Sequence, residues 1–167
     1  VTEHAKIVLI VYHSMTGGAR QMAQAAATGA READDVDVVL KRAEEAGVED
    51  VLAADGFIFA TPENLAAMSG KLKDFFDRTY YGALEQLNGR PYLQLICAGS
   101  DGRNAAQQIQ RIATGWRLKA IAEPYIFCTQ ATLPEQILKP KILPVEALRT
   151  CQELGKTLAS GLSLGIF

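Results

Sequence analysis

The 167-residue chain has little of what usually announces specialised chemistry: three cysteines, two histidines and one tryptophan. Cys97, Cys128 and Cys151 are far apart and odd in number, with no C-x-x-C pair. That spacing argues against a disulfide framework or a metal ribbon and reads as reduced thiols in a cytoplasmic protein. His4 and His13 cannot build a His-rich centre, so no metal is expected. A net charge of −2, with no basic stripe, gives no reason to expect a nucleic-acid partner. Acidic electron carriers would be expected to show a larger negative excess. No apolar run approaches membrane-spanning length, so no membrane insertion is expected. The apolar run from Ile7 to Tyr12 is short and leads into a turn, not into a cleavage site, so no signal peptide is expected. Repeats and low-complexity tracts are also missing.

What remains has the size and composition of one soluble globular domain, spanning 1–167. Its pattern alternates strand and helix. Strands are expected at Lys6–Tyr12, Val36–Leu40, Gly56–Ala60, Tyr92–Cys97 and Tyr125–Cys128. Helices are expected near Gly17–Arg31, Val48–Ala53, Ser69–Tyr80 and Asn104–Gly115, with a last one from Pro144. Such alternation implies an α/β fold: a doubly wound, five-stranded parallel sheet covered on both faces. The first and third strands are continuously apolar, as central strands should be. The second contains Asp37 and the fifth is short, which suits edges. The order 2-1-3-4-5 follows, with ligands expected at the carboxyl ends of the strands near the reversal point.

Three loops lie at that end. Ser14-Met15-Thr16-Gly17-Gly18-Ala19 joins a buried strand to an alanine-rich helix. Its hydroxyls and amides, with the positive end of the helix dipole, suit a phosphate. It lacks the lysine of a triphosphate loop and the G-x-G-x-x-G dinucleotide pattern, so a monophosphate fits best. The segment Thr61–Gly70 is longer than a simple strand–helix turn, and Ala98–Asn104 is glycine-rich. Glycines there let backbone approach a flat ligand. Glu63 reads either as reaching such a ligand or as a solvated loop carboxylate. Asp101 reads as a helix-start residue, and Arg103 as a surface arginine. Phe75, Phe76 and Trp116 read as core. Thr129–Leu143 reads as a long surface connection. No nucleophile–base pair is visible, so no catalytic residue is assigned and a cofactor is expected to carry any chemistry.

The chain resembles the flavodoxin-like FMN-binding proteins, in particular their NAD(P)H-dependent FMN reductase and quinone reductase branch. The most specific part is Thr61-Pro62-Glu63-Asn64 followed by Met68-Ser69-Gly70-Lys71-Leu72-Lys73-Asp74-Phe75-Phe76-Asp77-Arg78-Thr79. The resemblance implies a flavodoxin-like three-layer sandwich and FMN as cofactor, with NADH or NADPH as co-substrate. It implies that Ser14, Met15, Thr16, Gly17, Gly18 and Ala19 hold the FMN phosphate. Thr61, Pro62, Glu63 and Asn64 would line the ribityl chain and the ring edge. Ala98, Gly99, Ser100, Asp101 and Gly102 would border the pyrimidine side, where N–H groups favour charge developing on reduction. Ala19 stands where many flavodoxins carry a hydroxyl. Neither of the later loops contains the Trp or Tyr with which flavodoxins sandwich the ring. With the mild charge, this favours a two-electron reductase delivering to a quinone, a flavin or another small acceptor. The alternatives are an electron-transfer flavodoxin working with a redox partner protein, and a flavodoxin-fold binding module without catalysis. A homodimer or homotetramer is compatible with each.

Overall fold

A computed structural model describes residues 4–167. Strands β1 (Lys6–Tyr12), β2 (Val36–Arg42), β3 (Gly56–Asn64), β4 (Ala67–Met68), β5 (Pro91–Ala98), β6 (Lys119–Ala120) and β7 (Tyr125–Cys128) form one sheet. Its main path runs β2-β1-β3-β5, and both β6 and β7 pair with the free edge of β5. Every pairing is parallel except the short β3–β4 ladder. The expected order is therefore present, with two additions. First, β3 does not stop at Ala60 but runs on to Asn64 and folds back as β4. Second, the last edge is in two pieces. Lys119–Ala120 pairs with Pro91–Tyr92, and Tyr125–Cys128 pairs with Leu95–Ala98. Pro124 sits between the pieces. It has no N–H to offer a ladder, which favours re-entry only at Tyr125.

Helices α1 (Gly18–Ala30), α2 (Val48–Ala53), α3 (Gly70–Ala83), α4 (Arg103–Gly115), α5 (Pro134–Ile137) and α6 (Val145–Ser163) complete the fold. Side chains alternate across a strand, so each central strand feeds two cores. Val8, Ile10, Ile58, Leu93 and Leu95 face α1 and α6. Leu9, Val11, Phe57, Phe59 and Ile96 face α2, α3 and α4. The second face is aromatic: Phe59 meets Phe76 edge-on at 5.1 Å, and Phe76 meets Trp116 at 5.7 Å. Trp116 is fully buried, and its indole N–H donates to Tyr80 O at 3.0 Å. No helix of the described residues is long and apolar enough to cross a membrane.

On the first face α1 and α6 touch through backbone. A Cβ on Gly155 would overlap the carbonyl of Ala26, and one on Gly29 would overlap that of Gln152. The stripe of small residues in α1 allows this approach, and the approach in turn fixes how α1 lies on the sheet. Gly155→Ala should therefore destabilise the protein, although alanine is the better helix former by about 1 kcal/mol. Overpacking against backbone costs about 1–3 kcal/mol and outweighs that gain. Gly70→Ala, where a Cβ meets nothing within 4 Å, should change stability by no more than about 0.5 kcal/mol. Urea denaturation of both variants checks this; equal stabilities would refute the contact.

Candidate functional site

The carboxyl ends of β1, β3 and β5 surround a cavity of about 530 Å³. Its first wall is the turn between β1 and α1. The backbone continues β1 pairing through His13, whose N–H donates to Ala60 O at 3.1 Å. Ser14 Oγ then accepts from Gly17 N at 3.0 Å and closes the turn. Gly17 takes φ +99° as the N-cap of α1, a left-handed conformation that glycine adopts without strain. No side chain caps α1. The N–H groups of its first turn are therefore left for a ligand, at the positive end of the helix. Gly18 lies directly over Cys97, and a Cβ there would overlap the Cys97 sulfur. Ser14, Met15, Thr16, Gly18 and Ala19 line the cavity, whereas Gly17 does not. Gly17 instead lines a second hollow of about 450 Å³ on the outer flank of the turn, bordered by His13, Arg20, Arg42 and Glu44. Burial pushes the His13 imidazole below its usual value, and its Nδ1 is buried without a partner.

The second wall is the β3–β4 hairpin. Its turn residues, Leu65 and Ala66, both have positive φ, +50° and +63°. Consecutive left-handed residues fit a type I′ turn, a place normally held by Asn-Gly. Leu65 is fully exposed at the tip and lines the cavity mouth with Pro62, Glu63 and Asn64. Thr61 does not reach the cavity. It is fully buried, its hydroxyl donates to Pro62 O and accepts from Ser69 N, and so it pins the hairpin base.

The Glu63 carboxylate has a definite task. Oε1 accepts from Gly102 N at 2.8 Å and Oε2 from Ala105 N at 3.0 Å. Gly102, at φ +88°, is the N-cap of α4 and has no side chain to cap with. Glu63 supplies that cap from a neighbouring strand and places negative charge at a helix N-terminus. Gln108 Oε1 accepts from Met68 N, and Asn104 donates to Ala66 O, so α4 also grips the far side of the hairpin. Removing the carboxylate in Glu63→Ala should cost about 1–3 kcal/mol by stranding two N–H groups. Glu63→Gln, which keeps one acceptor oxygen, should cost less. Urea denaturation ranks the three proteins, and an unaltered Glu63→Ala variant would remove the cap from this account.

The third wall is the end of β5. Ala98, Gly99 and Ser100 line the cavity, but Asp101 and Gly102 do not. Asp101 faces outward, accepting from Arg103 N at 3.1 Å and pairing with Arg103 Nε at 2.8 Å. Gly102 is buried and its N–H is spent on Glu63. Gly99 admits another segment: a Cβ there would meet Ala131 O at 2.5 Å, and Gly99 O accepts from Gln130 N.

That segment is the connection from Thr129 to Leu143, read from sequence as a surface loop. It forms a fourth wall. Thr129, Ala131, Thr132, Ile137 and Lys141 line the cavity. Gln21 of α1 anchors its far end: Gln21 Nε2 donates to Lys141 O at 2.7 Å, and Gln21 Oε1 accepts from Leu143 N at 3.1 Å. Its prolines and lack of periodicity gave no sign of this. No aromatic side chain lines the cavity among the described residues.

Cys97, like Leu65, is a cavity residue that sequence reasoning passed over. Burial pushes its thiol up to about 11 and that of Cys151 up to about 12. The thiolate is the reactive form, so both should resist alkylation near pH 8, while the half-exposed Cys128 reacts first. The folded values lie above ordinary thiol values, so the stabilising contribution is complete below about pH 9. It is lost as pH rises toward those folded values. Peptide mass mapping after brief iodoacetamide treatment checks the order; early labelling of Cys97 would contradict it.

Comparison with known proteins places this geometry. The sequence pattern of NADPH-dependent FMN reductases matches residues 32–132, which takes in the second and third walls and stops short of the β1–α1 turn. A flavodoxin of Aquifex aeolicus is 39% identical over 56% of this chain and 48% of its own length. An NAD(P)H dehydrogenase (quinone) of Acidithiobacillus ferrooxidans is 34% identical over 43% of this chain and 46% of its own. The chain spans about half the length of these curated relatives. Among solved structures, an archaeal flavodoxin superposes with a TM-score of 0.77 over 93% of this chain and 98% of its own, at 17% identity. The flavodoxin-type WrbA-like protein of Agrobacterium tumefaciens gives 0.74 over 96% and 99%, at 19% identity. These two establish the fold.

Proposed function

The chain belongs to the NADPH-dependent FMN reductase family, and from that premise we propose that it is an FMN-binding oxidoreductase passing two electrons from NADH or NADPH to a quinone, a flavin or another small acceptor. One observation carries the reading: an uncapped helix N-terminus at one end of a 530 Å³ cavity whose other walls hold no aromatic side chain. Cofactor sites have this size. The residues fit the group. Ser14 Oγ already accepts from Gly17 N, so its own O–H is free to donate to a phosphate. Thr16 adds a hydroxyl, and Gly18 and Ala19 add first-turn N–H groups. Glycine at 18 keeps that floor low over Cys97.

FMN, when bound, supplies the two-electron chemistry. The chain would position it. Ser14, Met15, Thr16, Gly18 and Ala19 would hold the phosphate; Pro62, Glu63 and Asn64 would flank the ribityl chain and ring edge; Ala98, Gly99 and Ser100 would border the ring. Thr61, Asp101 and Gly102 act one step back, by pinning the hairpin, the β5 loop and the α4 N-terminus. With no aromatic side chain among the described lining residues, a face of the ring would be left open to a nicotinamide. The Aquifex flavodoxin relative supports a second reading, electron transfer to a redox partner protein.

Titration of the purified protein with FMN, followed by flavin fluorescence, should show saturable binding. Anaerobic NADPH or NADH should then bleach the bound flavin within the time of catalytic turnover. No binding would overturn both readings. Binding without bleaching by either coenzyme would overturn the reductase and leave the electron carrier.

A further inference from the structure

The loop between β1 and α1 contains no lysine, yet the fold brings one to it. Lys141 lies far along the chain from Thr16 and is the cation among the described residues lining the main cavity. Its backbone is fixed to the cradle twice. Lys141 N donates to Thr16 O at 2.8 Å, and Lys141 O accepts from Gln21 Nε2 at 2.7 Å. Its Cβ stands 3.8 Å from where a Cβ on Gly18 would be. The side chain is therefore carried into position by main-chain bonds.

The ammonium is over-committed. It lies 2.6 Å from Lys139 O, 2.9 Å from Gln136 O and Ile137 O, and 3.4 Å from Thr16 Oγ1. An ammonium has three hydrogens for these four acceptors. The longest of the four is the one facing the cradle. All four acceptors are neutral, and no described carboxylate pairs with this lysine. The acid on the cavity wall, Glu63, is spent on α4.

We propose that Lys141 is a phosphate-binding residue: its ammonium, together with the hydroxyls of Ser14 and Thr16 and the N–H groups opening α1, holds the terminal phosphate of the flavin. The idea rests on the FMN reading and names the charged group of that same site. A phosphate dianion is a stronger acceptor for an ammonium than a peptide carbonyl. Because the same ammonium closes the C-terminal end of α5, the lysine would also join the 129–143 segment to the occupied cradle.

The competing role is structural, in which Lys141 merely caps α5. FMN and riboflavin separate the two, since they differ by the phosphate alone. Lys141→Met should weaken FMN binding by about ten- to a hundredfold and riboflavin binding by less than about twofold. Lys141→Gln keeps donors for the α5 carbonyls but carries no charge, and should show the same selective loss. In the unaltered protein, the preference for FMN over riboflavin should shrink as salt rises. Equal loss for both flavins in both variants, or no loss for FMN in either, would overturn the assignment while leaving the cofactor reading intact. If a variant does not fold, a flavin preference in the unaltered protein that salt leaves unchanged would overturn it as well. Failure of the unaltered protein to bind FMN would instead refute the reading beneath it.

Discussion

The site depends on one constraint: β1, β3 and β5 are buried on both faces and run the same way. A strand covered on both sides cannot slip by one residue without exchanging its two cores. The register is therefore fixed, with Leu9 opposite Phe57 and Phe57 opposite Tyr92. Because the strands are parallel, their carboxyl ends arrive together, and so do the segments that leave them. The Gly29–Gln152 and Ala26–Gly155 contacts hold α1 at one height on this sheet. That height decides where the first turn of α1 points its N–H groups.

Above the sheet, the walls are tied to one another by side chains bonding to backbone, not by a ligand. Glu63 joins the hairpin to α4, Thr61 joins it to α3, and Gln21 joins α1 to the Thr129–Leu143 segment. Each tie satisfies polar groups that a loop near a cavity would otherwise leave stranded. Such ties restrict the walls' freedom to move relative to one another, so less ordering has to be offset on binding.

Sequence patterns revealed the sheet order and the helices because apolar periodicity reports burial directly. The turn at Ser14–Ala19 was also legible, since it is contiguous and lies at a strand–helix junction. What stayed hidden depended on partners distant in sequence. The hairpin was hidden because Leu65-Ala66 occupies positions where turn chemistry would call for Asn-Gly. Glu63 looked free because the N-cap it serves, Gly102, lies 39 residues later. Of the segments that carried the resemblance most strongly, Thr61–Asn64 supplies Pro62, Glu63 and Asn64 to the cavity, whereas the Met68–Thr79 block turns out to be scaffold. Met68 and Phe75 are buried, Ser69 caps α3, and Arg78 donates to the carbonyls of Ala43 and Ala46. None of its residues lines the cavity. A family can be recognised by the architecture that positions its site as readily as by the site itself.

The charges around the cavity have the same logic. Glu63 would make the hairpin side negative, but its carboxylate faces the positive end of α4, which offsets part of its charge. The opposite end has the uncapped N-terminus of α1 and the ammonium of Lys141, and no described acidic side chain lines the cavity there. The charged side chains lining the cavity are thus Lys141 at the β1–α1 end and Glu63 on the hairpin, on opposite walls. An elongated ligand with one anionic end and one flat, uncharged end has a single favourable orientation in such a field. On the proposed reading, such a field would orient FMN before any ring contact forms.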